Sequence, residues 1–295
     1  LGPLIAKNVI AAGESQSAHF LTTYVNAVDP KVKVYDGFLI HSRFGGSAPL
    51  DGSSIIGGPI SSYPQLVKFR PDLRVPLITV ITETDLVGTG RQGFYVARQP
   101  DAKNLRTWEI PGTAHADTYM LQVAPIDTGS APIEALAAAY KPSDNLMGMK
   151  VAKPINSAPQ HHYVVQAAFA ALNRWVVTGK PAPAAQPIKL TSDAPPALVL
   201  DAGGHAQGGI RTPWVDVPAM RLSGTGNGGN IMAALFGSSE PFDVQTLAGL
   251  YPGGKPEYLS RFKLSLDAAI DKEFLLPADR EEILQLADAM YPALP

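Results

Sequence analysis

The sequence contains no cysteine. Disulfide bonds, thiol catalysis and cysteine-ligated metals are therefore excluded. It also lacks any continuous apolar run of about 18 residues, the length that would indicate a membrane-spanning helix, and no secretory signal pattern is visible. Positive and negative side chains nearly balance, with 24 Lys and Arg against 26 Asp and Glu. This balance argues against nucleic acid and anionic membranes as partners, and localisation stays open between the cytoplasm and export.

Apolar residues make up 45% of the 295 residues, which is enough to form the core of one large domain. Four apolar segments have strand character: 9–12, 34–41, 75–82 and 105–110. A helical spacing of apolar residues follows the first of them, and the unbroken run at 75–82 is typical of a parallel strand covered on both faces. We therefore expect an α/β fold, with a mostly parallel sheet and helices on both of its faces.

We expect one domain over residues 1–295, with a catalytic sheet half, a helical cover with a linker, and C-terminal loops and helices. These three parts span 1–119, 120–196 and 197–295. Spacing of apolar residues predicts helices at 133–140, 159–178, 256–272 and 278–290, and a short strand at 197–201. The Gly- and Pro-rich segment 42–72 is longer than an ordinary connection, which favours a functional loop or a short helix near 63–68.

Ser15 lies between the first predicted strand and the helix that follows it, within the string Gly-Glu-Ser-Gln-Ser at 13–17. A serine at a tight strand-to-helix turn is the nucleophile elbow of α/β-hydrolases. The turn exposes the hydroxyl and directs backbone N–H groups of the new helix toward a developing oxyanion. Strand and helix nearly touch there, so small residues are required two before and two after the serine. Gly13 and Ser17 meet that requirement, although a second glycine is commoner than serine.

A serine nucleophile needs a base and an acid that orients the base. The strand ending at Thr82 runs into Glu83-Thr84-Asp85, and the strand ending at Ile110 is followed by His115. Each group would lie at the carboxyl end of its own strand, where α/β sheets build their sites. By itself His115 would be read as a loop histidine that bonds to backbone. The order serine, acid, histidine instead predicts a catalytic base.

Two carboxylates compete for the role of the triad acid. Asp85 is preferred because it lies past the end of its strand, where hydrolase acids usually lie, and Glu83 is the alternative because it follows the strand directly. The carboxylate that is not the triad acid is expected to support the site or to cap a helix. Glu14, within the elbow, is expected to pair with a cation such as Arg43 or to face solvent.

The oxyanion hole is expected to take one N–H from Gln16, the residue after the nucleophile. The second donor normally follows an earlier strand, and only seven or eight residues precede the elbow strand in this sequence. The first strands of the sheet are therefore expected to be missing from this chain. A preceding segment or a separate chain is expected to complete the sheet.

Four strings resemble a bacterial family of α/β-hydrolase-domain proteins whose elbow is Gly-Glu-Ser-x-Ser. They are Ala-Ala-Gly-Glu-Ser-Gln-Ser-Ala at 11–18, Val-Tyr-Asp-Gly-Phe-Leu-Ile-His-Ser-Arg at 34–43, Thr-Glu-Thr-Asp-Leu at 82–86 and Trp-Glu-Ile-Pro-Gly-Thr-Ala-His-Ala-Asp at 108–117. The resemblance covers nearly the whole chain and implies an α/β-hydrolase fold. It implies a serine hydrolase of small carboxylic esters without cofactor, with Ser15 as nucleophile, His115 as base and the acid within 83–85. Family members are longer at the N-terminus, in agreement with the missing strands.

Two other functions are weighed against an esterase. Residues 88–93 match Gly-x-Gly-x-x-Gly, with Glu109 near the end of a strand, as in a dinucleotide-binding oxidoreductase. That fingerprint should begin where a strand ends, yet five residues separate Thr82 from Gly88. A hydrolase fold that binds without catalysis is the other alternative, should the first strands be absent in the cell. No metal site is predicted: His161 and His162 are adjacent on a helix and point about 100° apart.

Overall fold

The computed structural model describes Pro3, residues 5–55 and residues 64–292. The strands are β1 (Ile10–Glu14), β2 (Gly37–His41), β3 (Leu77–Thr82), β4 (Leu105–Ile110), β5 (Asn145–Leu146), β6 (Met149–Lys150), β7 (Met220–Ser223) and β8 (Ser238–Pro241). The α-helices are α1 (Gln16–Thr23), α2 (Asp29–Val32), α3 (Glu83–Val87), α4 (Ile133–Ala139), α5 (Gln160–Thr178), α6 (Pro213–Asp216), α7 (Ile231–Leu235), α8 (Val244–Leu250), α9 (Gly254–Asp271) and α10 (Arg280–Met290). Single π turns cover Tyr24–Val28 and Tyr119–Val123, and 3₁₀ turns cover Phe94–Ala97 and Pro277–Asp279.

The main sheet has the order β1-β2-β3-β4, and helices surround it. β1 pairs with β2 and β2 pairs with β3 in parallel, with Ile10 opposite Gly37 and Phe38 opposite Leu77. The predicted α/β fold is confirmed. Because the paired strands are parallel, their carboxyl ends lie at one edge of the sheet, where such folds carry their functional loops.

The burial of each strand follows its sequence. Every residue of β3 is buried, as expected for an unbroken apolar run in the middle of a parallel sheet. Four of the five residues of β2 are buried as well. A Cβ atom added to Gly37 would lie 2.7 Å from Val176 Cγ2 and 3.3 Å from Leu172 Cδ1. Glycine at this position therefore lets α5 pack closely on the sheet.

The chain divides into two compact units. We call the first the elbow unit; it contains the described residues of 1–81, 85–109 and 168–187. Its core includes Ala18, Val25, Phe38, Ile40, Phe69, Leu77 and Leu105. We call the second the histidine unit; it contains the described residues of 82–84, 110–167 and 188–295. One of its cores includes Ala116, Leu146, Val151, Ile155, Ala233 and Phe236.

Some local predictions are wrong. The segment 197–201 forms isolated bridges, Leu190 to Leu198 and Leu200 to Ala206, instead of a strand. The Asp201 carboxylate accepts bonds from the N–H groups of Gly203 and His205, which turns the chain back on itself at once. Residues 64–68 contain no helix, and the remainder of the helix proposed near 63–68 lies outside the described residues.

Candidate active site

Ser15 occupies a sharp turn between β1 and α1. Its backbone angles are φ 54° and ψ −116°, a conformation that residues other than glycine rarely adopt. Such strain costs on the order of 1–3 kcal/mol and concentrates at functional sites. The Ser15 N–H donates to the carbonyl of His41 at 3.1 Å, so the strained residue is tied to the carboxyl end of β2. The structure therefore forms the turn that the string Gly-Glu-Ser-Gln-Ser predicts.

Gly13 shows why this turn needs a small residue two positions before the serine. A Cβ atom added to Gly13 would lie 2.7 Å from the Ser17 carbonyl oxygen and 2.9 Å from its carbon. Both are backbone atoms of α1, so neither can rotate away. Ser17 itself is exposed. Crowding at this elbow thus arises at Gly13, and a serine is accommodated at position 17 in place of the commoner glycine.

The first turn of α1 is linked to Ser15 by a histidine. The backbone N–H of His19 donates to the Ser15 carbonyl at 3.3 Å, and its ring Nδ1 lies 3.1 Å from the same oxygen. A carbonyl only accepts, so Nδ1 carries the proton. Burial, with smaller contributions from the Arg43 and Arg91 cations, lowers the pKa of His19 to about 4, although its bond to the Ser15 carbonyl opposes the shift. His19 is therefore a neutral donor to the residue predicted to be the nucleophile.

Arg43 is a buried cation at the end of β2. Its guanidinium donates to the carbonyls of Phe44 and Val67 and to the Thr22 hydroxyl, and burial lowers its pKa to about 9. The rings of Phe69 and Phe94 lie 4.7 and 5.1 Å from the guanidinium carbon. Glu14 is exposed. Of the two alternatives expected for Glu14, the solvent-facing one agrees with this exposure.

Asp85 belongs to the elbow unit, like Ser15. It lies on α3, one turn beyond the end of β3, and is fully buried. Its negative charge raises the pKa of His19, opposing the larger effect of burial. This interaction places the carboxylate in the electrostatic surroundings of the elbow.

Glu83, the alternative acid, belongs to the histidine unit. Its carboxylate accepts hydrogen bonds from the N–H groups of Gly112 and Gly224, both at 2.7 Å, and from the Ser223 hydroxyl at 3.3 Å. Burial raises the pKa of Glu83 to about 7, although these hydrogen bonds oppose the shift. Each carboxylate oxygen therefore already holds a backbone N–H, and the side chain joins the chain at residue 112 to the chain at residue 224.

His115 also belongs to the histidine unit, where it is 8% exposed. Its backbone N–H donates to Thr84 Oγ1 at 3.1 Å, and the Thr84 hydroxyl donates to the Gly224 carbonyl at 2.5 Å. Two adjacent residues, Glu83 and Thr84, thus hold the loop that carries His115. Thr84 gives no signal in the sequence, because a threonine between two carboxylates shows no pattern of its own.

The adjacent histidines of α5, His161 and His162, have partners close by. Asp117 Oδ2 lies 2.7 Å from His161 Nδ1, and both side chains are buried. The ring of His162 stacks on Tyr119 with a centroid distance of 4.0 Å. Among the described residues, no group of three or more His, Asp or Glu side chains lies close enough to hold a metal ion. Within the same part of the chain, no helix is both long and apolar enough to cross a membrane.

The glycine loop at 88–93 departs from the geometry of a dinucleotide fingerprint. It follows the helix α3 instead of a strand. Cβ atoms added to Gly88 and Gly93 would lie 2.4 Å from the carbonyl oxygens of Arg91 and Leu86. The glycines therefore make room for the loop's own backbone. In a dinucleotide fingerprint the acidic residue, here Glu109, would bind the ribose. Both of its carboxylate oxygens instead accept bonds from Arg98, at 2.8 and 2.6 Å.

Comparison with known proteins identifies one family. The family model described as an alpha/beta hydrolase domain matches residues 1–285. No curated protein and no solved structure matches the chain.

Proposed function

Because the chain belongs to the alpha/beta hydrolase domain family, we propose that it is a serine hydrolase of small carboxylic esters. The strained backbone of Ser15 at the junction of β1 and α1 carries this proposal. A non-glycine residue persists at positive φ only where its surroundings enforce it. The elbow presents a partly exposed serine at the start of a helix, as a nucleophile requires.

The proposed mechanism is acyl transfer through an acyl-enzyme. Ser15 Oγ attacks the ester carbonyl carbon while His115 takes the hydroxyl proton. The Gln16 N–H, at the first position of α1, has no acceptor within the helix and donates to the oxyanion. The C–O bond to the alcohol breaks as His115 returns the proton to the leaving oxygen. Water then attacks the acyl-enzyme by the same route, which releases the acid and restores Ser15.

We assign the triad acid to Asp85. A triad acid must stay ionised to stabilise the imidazolium that forms during the reaction. The pKa of Glu83 is raised to about 7 by burial, and its two oxygens hold the N–H groups of Gly112 and Gly224. These contacts favour an anchoring role for Glu83. Asp85 is the other carboxylate after β3, and its placement beyond the strand end supports the assignment.

We also propose that a further strand, from a preceding segment or a separate chain, pairs with β1. β1 is the last strand of the sheet order on its side, among the described residues. A groove of about 680 Å³ runs along it, with Phe20 50% and Leu50 74% exposed. A loop after such a strand would supply the second oxyanion donor. Slower hydrogen exchange of β1 in protein purified from its natural source than in the isolated chain supports this pairing, and equal exchange opposes it.

Hydrolysis of p-nitrophenyl esters tests the proposed function. A panel of p-nitrophenyl esters of different acyl length should reveal turnover that disappears in Ser15→Ala. If the protein is not a dinucleotide-binding oxidoreductase, the fluorescence of a reduced nicotinamide dinucleotide should be unchanged on mixing with it. A chain that turns over no ester and is not labelled by a fluorophosphonate probe would instead be a binding module. Labelling that persists in Ser15→Ala would place the nucleophile elsewhere.

A further inference from the structure

Asn156 contacts the chain on both sides of His115. Its side-chain Nδ2 donates to the Gly112 carbonyl at 3.0 Å, and its backbone carbonyl accepts from the Thr118 N–H at 2.8 Å. These two contacts lie three residues before and three residues after His115. The residue therefore holds the two ends of the seven-residue segment 112–118, which we call the histidine loop.

Asn156 is itself held rigidly. It is fully buried, its backbone N–H donates to the Phe236 carbonyl at 2.8 Å, and Nδ2 also donates to the Ser223 carbonyl at 2.9 Å. Its Oδ1 accepts from the Ala158 N–H at 2.9 Å. Both amide protons and the amide oxygen of the side chain are thus engaged. A buried amide with these bonds made has one orientation, since any rotation leaves polar groups unpaired.

Other residues also bond to the histidine loop, but each of those named here contacts a single residue of it. Glu83 binds the N–H of Gly112, and Thr84 binds the N–H of His115. Asp117 is joined to His161 at 2.7 Å. Among these residues, only Asn156 bonds to both ends of the loop. Asn156→Ala removes the side-chain bonds to Gly112 and Ser223 and leaves the backbone bond to Thr118, so it releases the loop at its Gly112 end.

We propose that Asn156 is a positioning residue for His115. It fixes the histidine loop so that the imidazole is presented to the nucleophile in one orientation, and this inference rests on the proposed function of His115 as base. Displacement of a catalytic group by about 1 Å costs on the order of 10² in rate. Loss of Asn156 should therefore lower kcat while the binding of substrate, and hence KM, changes little.

The test compares substitutions at Asn156 with matched substitutions at Asn227. Asn227 is 7% exposed, its Nδ2 donates to the carbonyls of Lys153 and Gly237, and its Oδ1 accepts from the Lys153 N–H. It therefore makes the same kinds of bond in the same unit, but none to the histidine loop. Asn156→Asp removes the donor and places a carboxylate against two carbonyls. Asn156→Ala removes the donor without adding charge, and it replaces Asn156→Asp in the test if that variant does not fold.

We expect Asn156→Ala to lower kcat by on the order of 10² with KM within about threefold of the parent. Asn227→Ala should leave kcat within about threefold at a comparable loss of stability. A kcat for Asn156→Ala near that of the parent, or an equal loss in Asn227→Ala, would overturn the proposal.

An NMR titration of the His115 ring separates this inference from the proposed function. In Asn156→Ala the ring resonance should broaden or its pKa should move, while in Asn227→Ala it should match the parent. That result supports positioning of the loop even if the parent hydrolyses no ester. A ring signal unchanged in both variants contradicts it.

Discussion

The elbow and the histidine loop are organised in opposite ways. The elbow is built mostly from neighbours in the chain: Gly13, Ser15, Gln16 and His19 lie within seven residues, and the strained Ser15 backbone has one distant bond, to the His41 carbonyl. The histidine loop depends on residues far away in sequence. It is held by Glu83, Thr84 and Asn156, which lie 29 to 44 positions from their partners in the loop.

This difference determines what each substitution can do. A change in the elbow acts directly on the backbone of Ser15, the proposed nucleophile, so its effect should be local. A change around the histidine loop acts through a network, so the loop should loosen further with each hydrogen bond that is removed. Ser15 thus has a strained backbone, and the loop that carries His115 is held by hydrogen bonds from distant residues.

The largest effect should follow from removing the reacting groups themselves. Ser15→Ala and His115→Ala should each lower ester turnover by a factor on the order of 10³ or more, with the fold intact. Steady-state kinetics on a p-nitrophenyl ester measures this, with circular dichroism as the control for folding. A normal rate in either variant would remove that residue from the mechanism.

Substitutions of the two carboxylates after β3, Asp85 and Glu83, should differ in their effect on kcat. Asp85→Asn should lower kcat by on the order of 10² or more, because the imidazolium loses its partner. Glu83→Gln should cost far less in kcat, because the isosteric amide keeps an oxygen that can accept from one of the two anchored N–H groups, and Asp85 is unchanged. Kinetics of the two isosteric variants side by side measures the ranking. The reverse order would make Glu83 the triad acid.

Stability should depend on pH through Glu83. Its pKa in the folded protein is raised from 4.5 to about 7, so the unfolded chain loses the proton first as pH rises. The stabilising contribution is fully present below pH 4.5 and is lost as pH rises through about 7, with a total of about 3 kcal/mol. Urea unfolding of the parent and Glu83→Gln at several pH values measures this. Parallel curves for the two proteins would contradict a raised pKa at Glu83.

The smallest effect should follow from adding one methyl group to the elbow. Gly13→Ala places a Cβ atom 2.7 Å from a backbone oxygen of α1. Separating strand and helix should cost about 1–3 kcal/mol and should lower turnover as Ser15 shifts. Thermal unfolding and kinetics measure the two consequences. Gly203→Ala is the control, because its Cβ would meet only side-chain atoms, none nearer than 3.3 Å. Equal losses in both variants would count against a crowded elbow.

Sequence reasoning succeeded where one stretch of chain determines its own structure. The apolar run before Thr82 predicts a buried strand, and β3 ends at that residue. The apolar stripe at 159–178 predicts a helix, and α5 covers Gln160–Thr178. The predicted strand at 105–110 coincides with β4. The elbow belongs to this class because Gly13 and Ser15 specify the turn between them.

Structure could not be predicted from the sequence where the contacts that determine it join residues far apart in the chain. Asn156 gives no signal in the sequence, because its function depends on Gly112 and Ser223 meeting it in space. The strands of the antiparallel pair β7 and β8 are too short and polar to show an alternating pattern. The burial of Arg43 was missed because its partners are carbonyls and rings from three separate segments.

Covalent labelling tests the central claim most directly. The parent protein is treated with a fluorophosphonate, and the adduct is located by mass spectrometry of its peptides. We expect one adduct, on Ser15, appearing in step with the loss of ester turnover and much slower in His115→Ala. An adduct on another residue, or full inhibition with Ser15 unmodified, would contradict the assignment of the nucleophile.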